Sequence, residues 1–252
     1  MKTFTKTQIA CSLFAASIIS SGHAAVVSFS DDFSGDSLDP AWSVNGDGGS
    51  FDAANDVFQI INDRSGGGGG TELRRNIDDD GSVGSFSSSI TVTLEEFSNP
   101  STGADFKWKF FGPDGFTEIV LNSFGDMRMF HNDSDGGGGN IQPNTNIGLT
   151  GAGDLLTLSL LYDAVSDTID VLYSLNGGED VSFYSGGGID GPVGDLATNF
   201  VVAQVFEFGV GDPVPTVQIQ EWSMTAIPEP STSMLLLGCL LYTSPSPRDF
   251  TE

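Results

Sequence analysis

The chain has 252 residues, with 34 Asp plus Glu against 9 Lys plus Arg and a formal net charge of −25. Such acidity excludes nucleic acid and anionic membrane surfaces as partners, because phosphate is held by clustered cations. With 38% apolar residues, 19 Phe and 33 Gly, the composition excludes a disordered tail, disfavours helices and suits strands joined by wide loops.

Residues 1–24 read as a secretory signal peptide. Lys2 and Lys6 precede an apolar stretch from Ile9 to Ile19, and Gly22 and Ala24 supply the small residues for cleavage after Ala24. That apolar run is well short of the ~20 residues a membrane span needs, so export is expected. Cys11 leaves with the leader and Cys239 falls in the far tail, so the exported domain has no cysteine and no disulfide.

Residues 25–225 read as one all-β domain. Ile90, Val92 and Leu94 alternate with Ser89, Thr91 and Thr93; Phe106, Trp108 and Phe110 alternate with Lys107 and Lys109. Phe116 to Phe124, then Gly125-Asp126, then Met127 to His131 predicts a hairpin with a tight Gly-Asp turn. Tyr162 to Thr168 predicts a second turn, between two apolar strands, and Val217 and Ile219 alternate with Gln218 and Gln220. About a dozen strands without a helix predict an antiparallel β-sandwich or jelly roll. Glycine runs at Gly66 to Gly70 and Gly136 to Gly139 each follow an Asn-Asp pair; they read as drift in exposed loops or as matching loops on one rim.

The segment Phe29-Ser30-Asp31-Asp32-Phe33, with Leu38-Asp39-Pro40-Ala41-Trp42 after it, resembles the opening of concanavalin A-like lectin/glucanase domains. Tyr162 to Tyr173 is similar to the later hairpin of laminin-G-like members, and Val217 to Met224 to the closing strand that pairs beside the first. The resemblance implies a concanavalin A-like sandwich, with Trp42 in its core. At the other end, Ile227-Pro228-Glu229-Pro230 before an apolar run resembles the PEP-CTERM sorting signal of Gram-negative, exopolysaccharide-producing bacteria. Residues 226–238 are then a truncated sorting signal, which implies processing by an exosortase-type enzyme and a place at the cell surface, outer envelope or extracellular matrix. Cys239 to Asp249 is similar to the translation of a transposase adapter used in sequencing libraries, so residues 239–252 are set aside as an artefact.

The exported domain has a single histidine, His131, and neither glycine run carries a phosphate-loop lysine, so zinc clusters, thiol nucleophiles and P-loop chemistry are excluded. His131 reads as a structural residue. Family-16-type glucanases carry a Glu-Ile-Asp-Ile-x-Glu strand, which Glu118-Ile119-Val120-Leu121-Asn122-Ser123 resembles at Glu118 alone. With no acid/base carboxylate at the matching position, Glu118 reads as a strand residue and the domain as non-catalytic.

Calcium is the expected cofactor, since hard cations take oxygen ligands. Asp31 and Asp32, at the position where members of the resembled fold carry a structural ion, and Asp133 with Asp135 are the candidate ligands; each pair also reads as a solvated acidic turn. For a glycan, an aromatic platform beside hydrogen-bonding groups is the usual device, because a pyranose offers an apolar face and a ring of hydroxyls. Trp108, Trp222 and Tyr184 are the candidate platforms, with Arg128 and Asn122 as polar partners; core packing is the competing reading of the rings. The sequence therefore favours an exported polysaccharide-binding protein, with a structural matrix protein or a divergent glycanase as alternatives.

Overall fold

Alternation in the sequence becomes the pleat of two sheets, with one face of each turned to a shared core. The computed structural model describes residues 28–61, 69–77, 85–95, 97, 103–112, 115–133, 138–149, 153–166, 168–187, 200–207 and 216–226. Residues 1–24, read above as a signal peptide, the Pro228-Glu229-Pro230 motif, residues 239–252 and Asp135 lie outside them.

Fifteen strands are present among the described residues. They are β1 (Ser28–Asp31), β2 (Trp42–Asn45), β3 (Gly49–Asp52), β4 (Val57–Ile61), β5 (Gly69–Asn76), β6 (Phe86–Glu95), β7 (Ala104–Gly112) and β8 (Gly115–Asn122). Then follow β9 (Asp126–Asp133), β10 (Gly138–Asn146), β11 (Asp154–Asp163), β12 (Thr168–Leu175), β13 (Val181–Gly187), β14 (Phe200–Glu207) and β15 (Thr216–Ala226). An eight-stranded sheet runs β13-β12-β11-β6-β15-β4-β3 with β1 also paired to β15; a seven-stranded sheet runs β10-β9-β8-β7-β14-β5-β2. The architecture is an antiparallel β-sandwich of the concanavalin A-like kind, as the sequence predicts.

The closing strand does pair beside the first, with Ser28 opposite Thr225 and Asp31 opposite Trp222. Trp42 is core, 5% exposed. It is fixed by a backbone bond to Asp39 O at 2.9 Å and by its indole N–H, which donates to Asp31 Oδ2 at 2.6 Å. The β8–β9 hairpin forms, but its turn sits earlier than Gly125-Asp126. Gly125 N bonds to Asn122 O at 3.0 Å, and Asn122 Oδ1 accepts from the Phe124 and Asp126 amides. The Asn122 side chain can close the loop two residues on, which a tight Gly-Asp reading overlooks. Gly125 supplies the positive φ of 82° the turn requires.

At the β11–β12 turn Asp163 Oδ1 accepts from the Val165 amide at 2.9 Å. The two glycine runs end in β5 and β10, where Gly70 faces Phe206 and Gly138 faces Asn132. Those registers lie at opposite ends of the seven-stranded sheet, so the runs are not matching loops of one rim.

Candidate carbohydrate-binding face

On β7, Ala104, Phe106, Trp108 and Phe110 turn into the sandwich, which leaves Asp105, Lys107, Lys109 and Phe111 on the outer face of the seven-stranded sheet. The same parity places Phe116, Glu118, Val120 and Asn122 outward on β8, and Asp126, Arg128 and Phe130 outward on β9. Lys109 is directly opposite Glu118, Lys107 opposite Val120 and Asp105 opposite Asn122. Four of the six basic residues between positions 25 and 225, Arg74, Lys107, Lys109 and Arg128, thus share one face of an otherwise acidic chain.

Each cation there has a partner. Lys109 Nζ is 3.5 Å and Lys107 Nζ 3.9 Å from the Glu118 carboxylate, and Arg128 Nη2 is 3.9 Å from Asp105 Oδ2. The Arg74 guanidinium lies 3.6 Å above the Phe200 ring, and Lys107 is 5.0 Å from the Phe206 centroid. Glu72 accepts from Asn45 Nδ2 at 3.0 Å and from Gln204 Nε2 at 3.5 Å.

The cluster is dry enough to move its equilibria. Burial pushes the Asp105 carboxyl above its ordinary range, against the pull of Lys107 and Arg128 and with a further push from Glu118. Burial likewise lowers Lys109; Glu118 opposes that shift and Lys107 adds to it.

At one end of this face Asp105, Asn122, Phe124, Asp126, Arg128 and Asn144 line a depression of about 220 Å³. Phe124 stands 59% exposed at the hairpin tip, and Asn146 Nδ2 donates to Asp126 Oδ1 at 3.1 Å. Exposed ring, amides, carboxylates and a guanidinium therefore meet in one concavity, the mixture a polyhydroxylated ring requires. A larger depression of about 500 Å³ lies on the eight-stranded sheet, where Ser87, Ser89, Ser159 and Ser185 surround Asp170. It has no aromatic residue in its lining.

The structure brings Asn122 and Arg128 together and parts them from the three candidate rings. Trp108 and Trp222 are 0% exposed and belong to the core, so neither offers a ring face to a ligand. Trp108 has the parity of Phe106 and Phe110, which is the inward one. Tyr184 packs against the core from β13, an edge strand of the other sheet.

Asp31 ends β1 and is half-buried, and Asp32 follows it, exposed. Asp31 accepts from Trp42 and from the Phe33 amide at 2.8 Å, while Asp32 Oδ1 accepts from the Ser34 amide and hydroxyl. Each carboxylate is thus engaged by groups of the turn that follows β1. The Asp133 side chain, like Asp135, lies outside the described residues, among which no group of three or more His, Cys, Asp or Glu residues is placed to hold a metal ion. His131 is buried, with Nδ1 3.1 Å from Thr117 Oγ1.

The residues of this face that sequence reasoning does not offer as a site are the outward phenylalanines Phe111, Phe116, Phe130, Phe200 and Phe206 and the paired charges Asp105, Lys107 and Lys109, while Glu118 enters it only as a glucanase-like strand residue. The signal was present in Lys107-Trp108-Lys109-Phe110-Phe111, where the second phenylalanine falls in phase with the lysines.

No family model matches the sequence, and no curated protein is similar to it. Solved structures are similar in fold. A CBM2 module of the evolved Dit protein of Lactobacillus casei BL23 phage J-1 superposes with a TM-score of 0.61 at 9% identity, over 81% of this chain and 99% of that one. Arcelin-5, a lectin-like defense protein from Phaseolus vulgaris, gives 0.56 at 14% identity, over 82% and 100%. The GH43 protein BlXynB from Bacillus licheniformis gives 0.55 at 15% identity over 79% of this chain, which spans only 39% of that protein's length. These likenesses define the class of fold.

Proposed function

We propose that the protein is an exported, non-catalytic carbohydrate-binding protein that holds polysaccharide on the outer face of its seven-stranded sheet. The observation that carries this reading is the concavity in which Arg128, Asp105, Asn122 and Asp126 surround space beside the exposed Phe124 ring. The lectins and the CBM2 module among the similar structures support it at the level of fold. Export and surface sorting belong to the same proposal and rest on residues 1–24 and 226–238; the cell's own exopolysaccharide is the ligand they suggest.

The non-catalytic part of the proposal rests on the sequence, where Glu118 has no acid/base carboxylate at the matching position. Glu118 is moreover engaged by two lysines.

Affinity electrophoresis of the full chain through gels holding neutral and acidic polysaccharides tests the proposal. Retardation by at least one polysaccharide, relieved in Arg128→Ala, is the expected result; free migration through every gel by folded protein would overturn it.

A further inference from the structure

Four phenylalanines stand on four consecutive strands of the seven-stranded sheet, on the side away from the core. Phe200 on β14 and Phe111 on β7 are opposite in register, as are Phe111 and Phe116 on β8. Their rings form a continuous tract. Phe200 and Phe111 stack at 4.4 Å and 15°, Phe111 and Phe116 follow at 5.1 Å, and Phe116 and Phe130 on β9 at 6.5 Å. All four are partly exposed, and none belongs to the core cluster or to the residues packed against it.

The register also fixes what flanks the rings. Asn76 on β5 pairs with Phe200, and Asn132 on β9 pairs with Phe116, so an amide terminates the aromatic row at each end. Beyond Asn132 the next position is Gly138 of the edge strand β10, which has no side chain to close the row. Phe200 and Phe111 face one another and Arg74 covers Phe200, so the tract offers a pyranose chain apolar ring edges, with amides at the sides for its hydroxyls.

Charge selects among glycans. Arg74, Lys107, Lys109 and Arg128 are balanced by Glu72, Asp105, Glu118 and Asp126 on this face, while the chain as a whole carries −25. An anionic polysaccharide would meet paired cations inside an acidic surround and be repelled. A neutral one loses nothing to that field and finds donors and acceptors already oriented.

We infer that the ligand is a neutral, linear polysaccharide, gripped along an internal stretch that crosses the strands over Phe200, Phe111, Phe116 and Phe130. This rests on the carbohydrate-binding reading above and adds to it the class of glycan and a second contact zone, six residues along β7 from the concavity at the other end of the same face.

The test is calorimetric titration of the full chain with neutral linear oligosaccharides of two to six units (cello-, laminari-, xylo- and manno- series) and with oligogalacturonates. One neutral series should gain about tenfold or more in affinity from dimer to hexamer, and Phe111→Leu/Phe116→Leu should lose that gain. The leucines keep apolar volume on the sheet, and circular dichroism confirms folding. Equal affinity for dimer and hexamer, lowered by Arg128→Ala but not by the double leucine variant, keeps the glycan-binding reading and overturns the tract. Preferred binding of oligogalacturonate, weakening steeply with salt, overturns the neutral class. Absence of binding by every oligomer and by the parent polysaccharides removes the underlying reading itself.

Discussion

Lys109 Nζ lies 3.5 Å from Glu118 Oε2, directly across the β7–β8 ladder and on the side of the sheet that faces away from the core. With Lys107 on the other carboxylate oxygen, Glu118 neutralises two cations that have little access to water. Removing one partner from such a group leaves uncompensated buried charge, which costs far more than the net worth of the pair. Glu118→Gln should therefore destabilise the protein by about 3 kcal/mol, read as a shift in urea midpoint. The double variant Glu118→Gln/Lys109→Met should recover part of it. A loss in the double variant equal to the sum of the two single losses would mean that the residues do not interact.

The indole N–H of Trp42 donating to Asp31 ties the opening strand to the turn that follows it. A hydrogen bond to a charged acceptor contributes about 1.5–3 kcal/mol. Trp42→Phe should cost at least that much, since it also trims a ring packed 5.1 Å from Trp222. Asp31→Asn, which keeps an acceptor oxygen, should cost less, and equal losses in thermal melts would count against the charged bond.

Trp108 and Trp222 separate packing from binding. Neither indole N–H has a hydrogen-bond partner among the described residues, so replacement by Phe loses ring volume but no hydrogen bond. Trp108→Ala should cost about 3–5 kcal/mol through the cavity it leaves, Trp108→Phe much less, and neither should alter glycan affinity of folded protein. A fall in affinity without a fall in stability would return Trp108 to the binding site.

Asp105 gives the binding site a pH signature. Its folded pKa is raised above the ordinary carboxyl value of 3.8, first by burial. The folded state therefore holds this proton more tightly than the unfolded chain does, and ionised Asp105 costs stability that is regained as pH falls through the raised value. Binding has the opposite sign, because the ionised carboxylate orients Arg128 and accepts hydroxyl protons. Affinity should fall as pH drops through a value above 3.8, and the acid limb should be absent from Asp105→Asn, which binds more weakly throughout. A limb unchanged in that variant would assign it to another group.

The turn aspartates act in the other direction. Hydrogen bonds from Ser34, Ala41, Asn55 and Ser166 hold Asp32, Asp39, Asp52 and Asp163 below 3.8. Their contribution is present above the unfolded value and is lost as pH falls through the folded ones. The melting temperature should decline below about pH 4, and Asp163→Asn should flatten that decline. Identical profiles for the two proteins would remove Asp163 from the account.

Much of the sandwich was legible because period-two alternation is a strong signal where one face of a strand is buried. Ile90 to Leu94, Phe106 to Phe110 and Val217 to Ile219 fall where that pattern puts them. The first and last strands pair as the opening segment implied. The β8–β9 turn was misplaced because Asn122 competes with Gly125-Asp126 for the same loop, and side-chain capping leaves no periodic trace. The candidate site was half legible. Arg128 and Asn122 have a polar character that marks them as outward, but large aromatic rings carry no such label. Trp108 drew attention by its size, whereas Phe111 and Phe116, one parity away, form the tract. Which strands become neighbours decides that Phe200, distant in sequence, stacks on Phe111, and no local pattern encodes that pairing.

Hydrogen exchange on the full chain, with and without the polysaccharide that retards it most, tests most directly that the outer face of the seven-stranded sheet is the binding surface. The account predicts added protection in peptides from β7, β8, β9 and β14, and none in β11, β12 and β13. Protection confined to β11–β13, around the serine-lined depression on the opposite sheet, would contradict it.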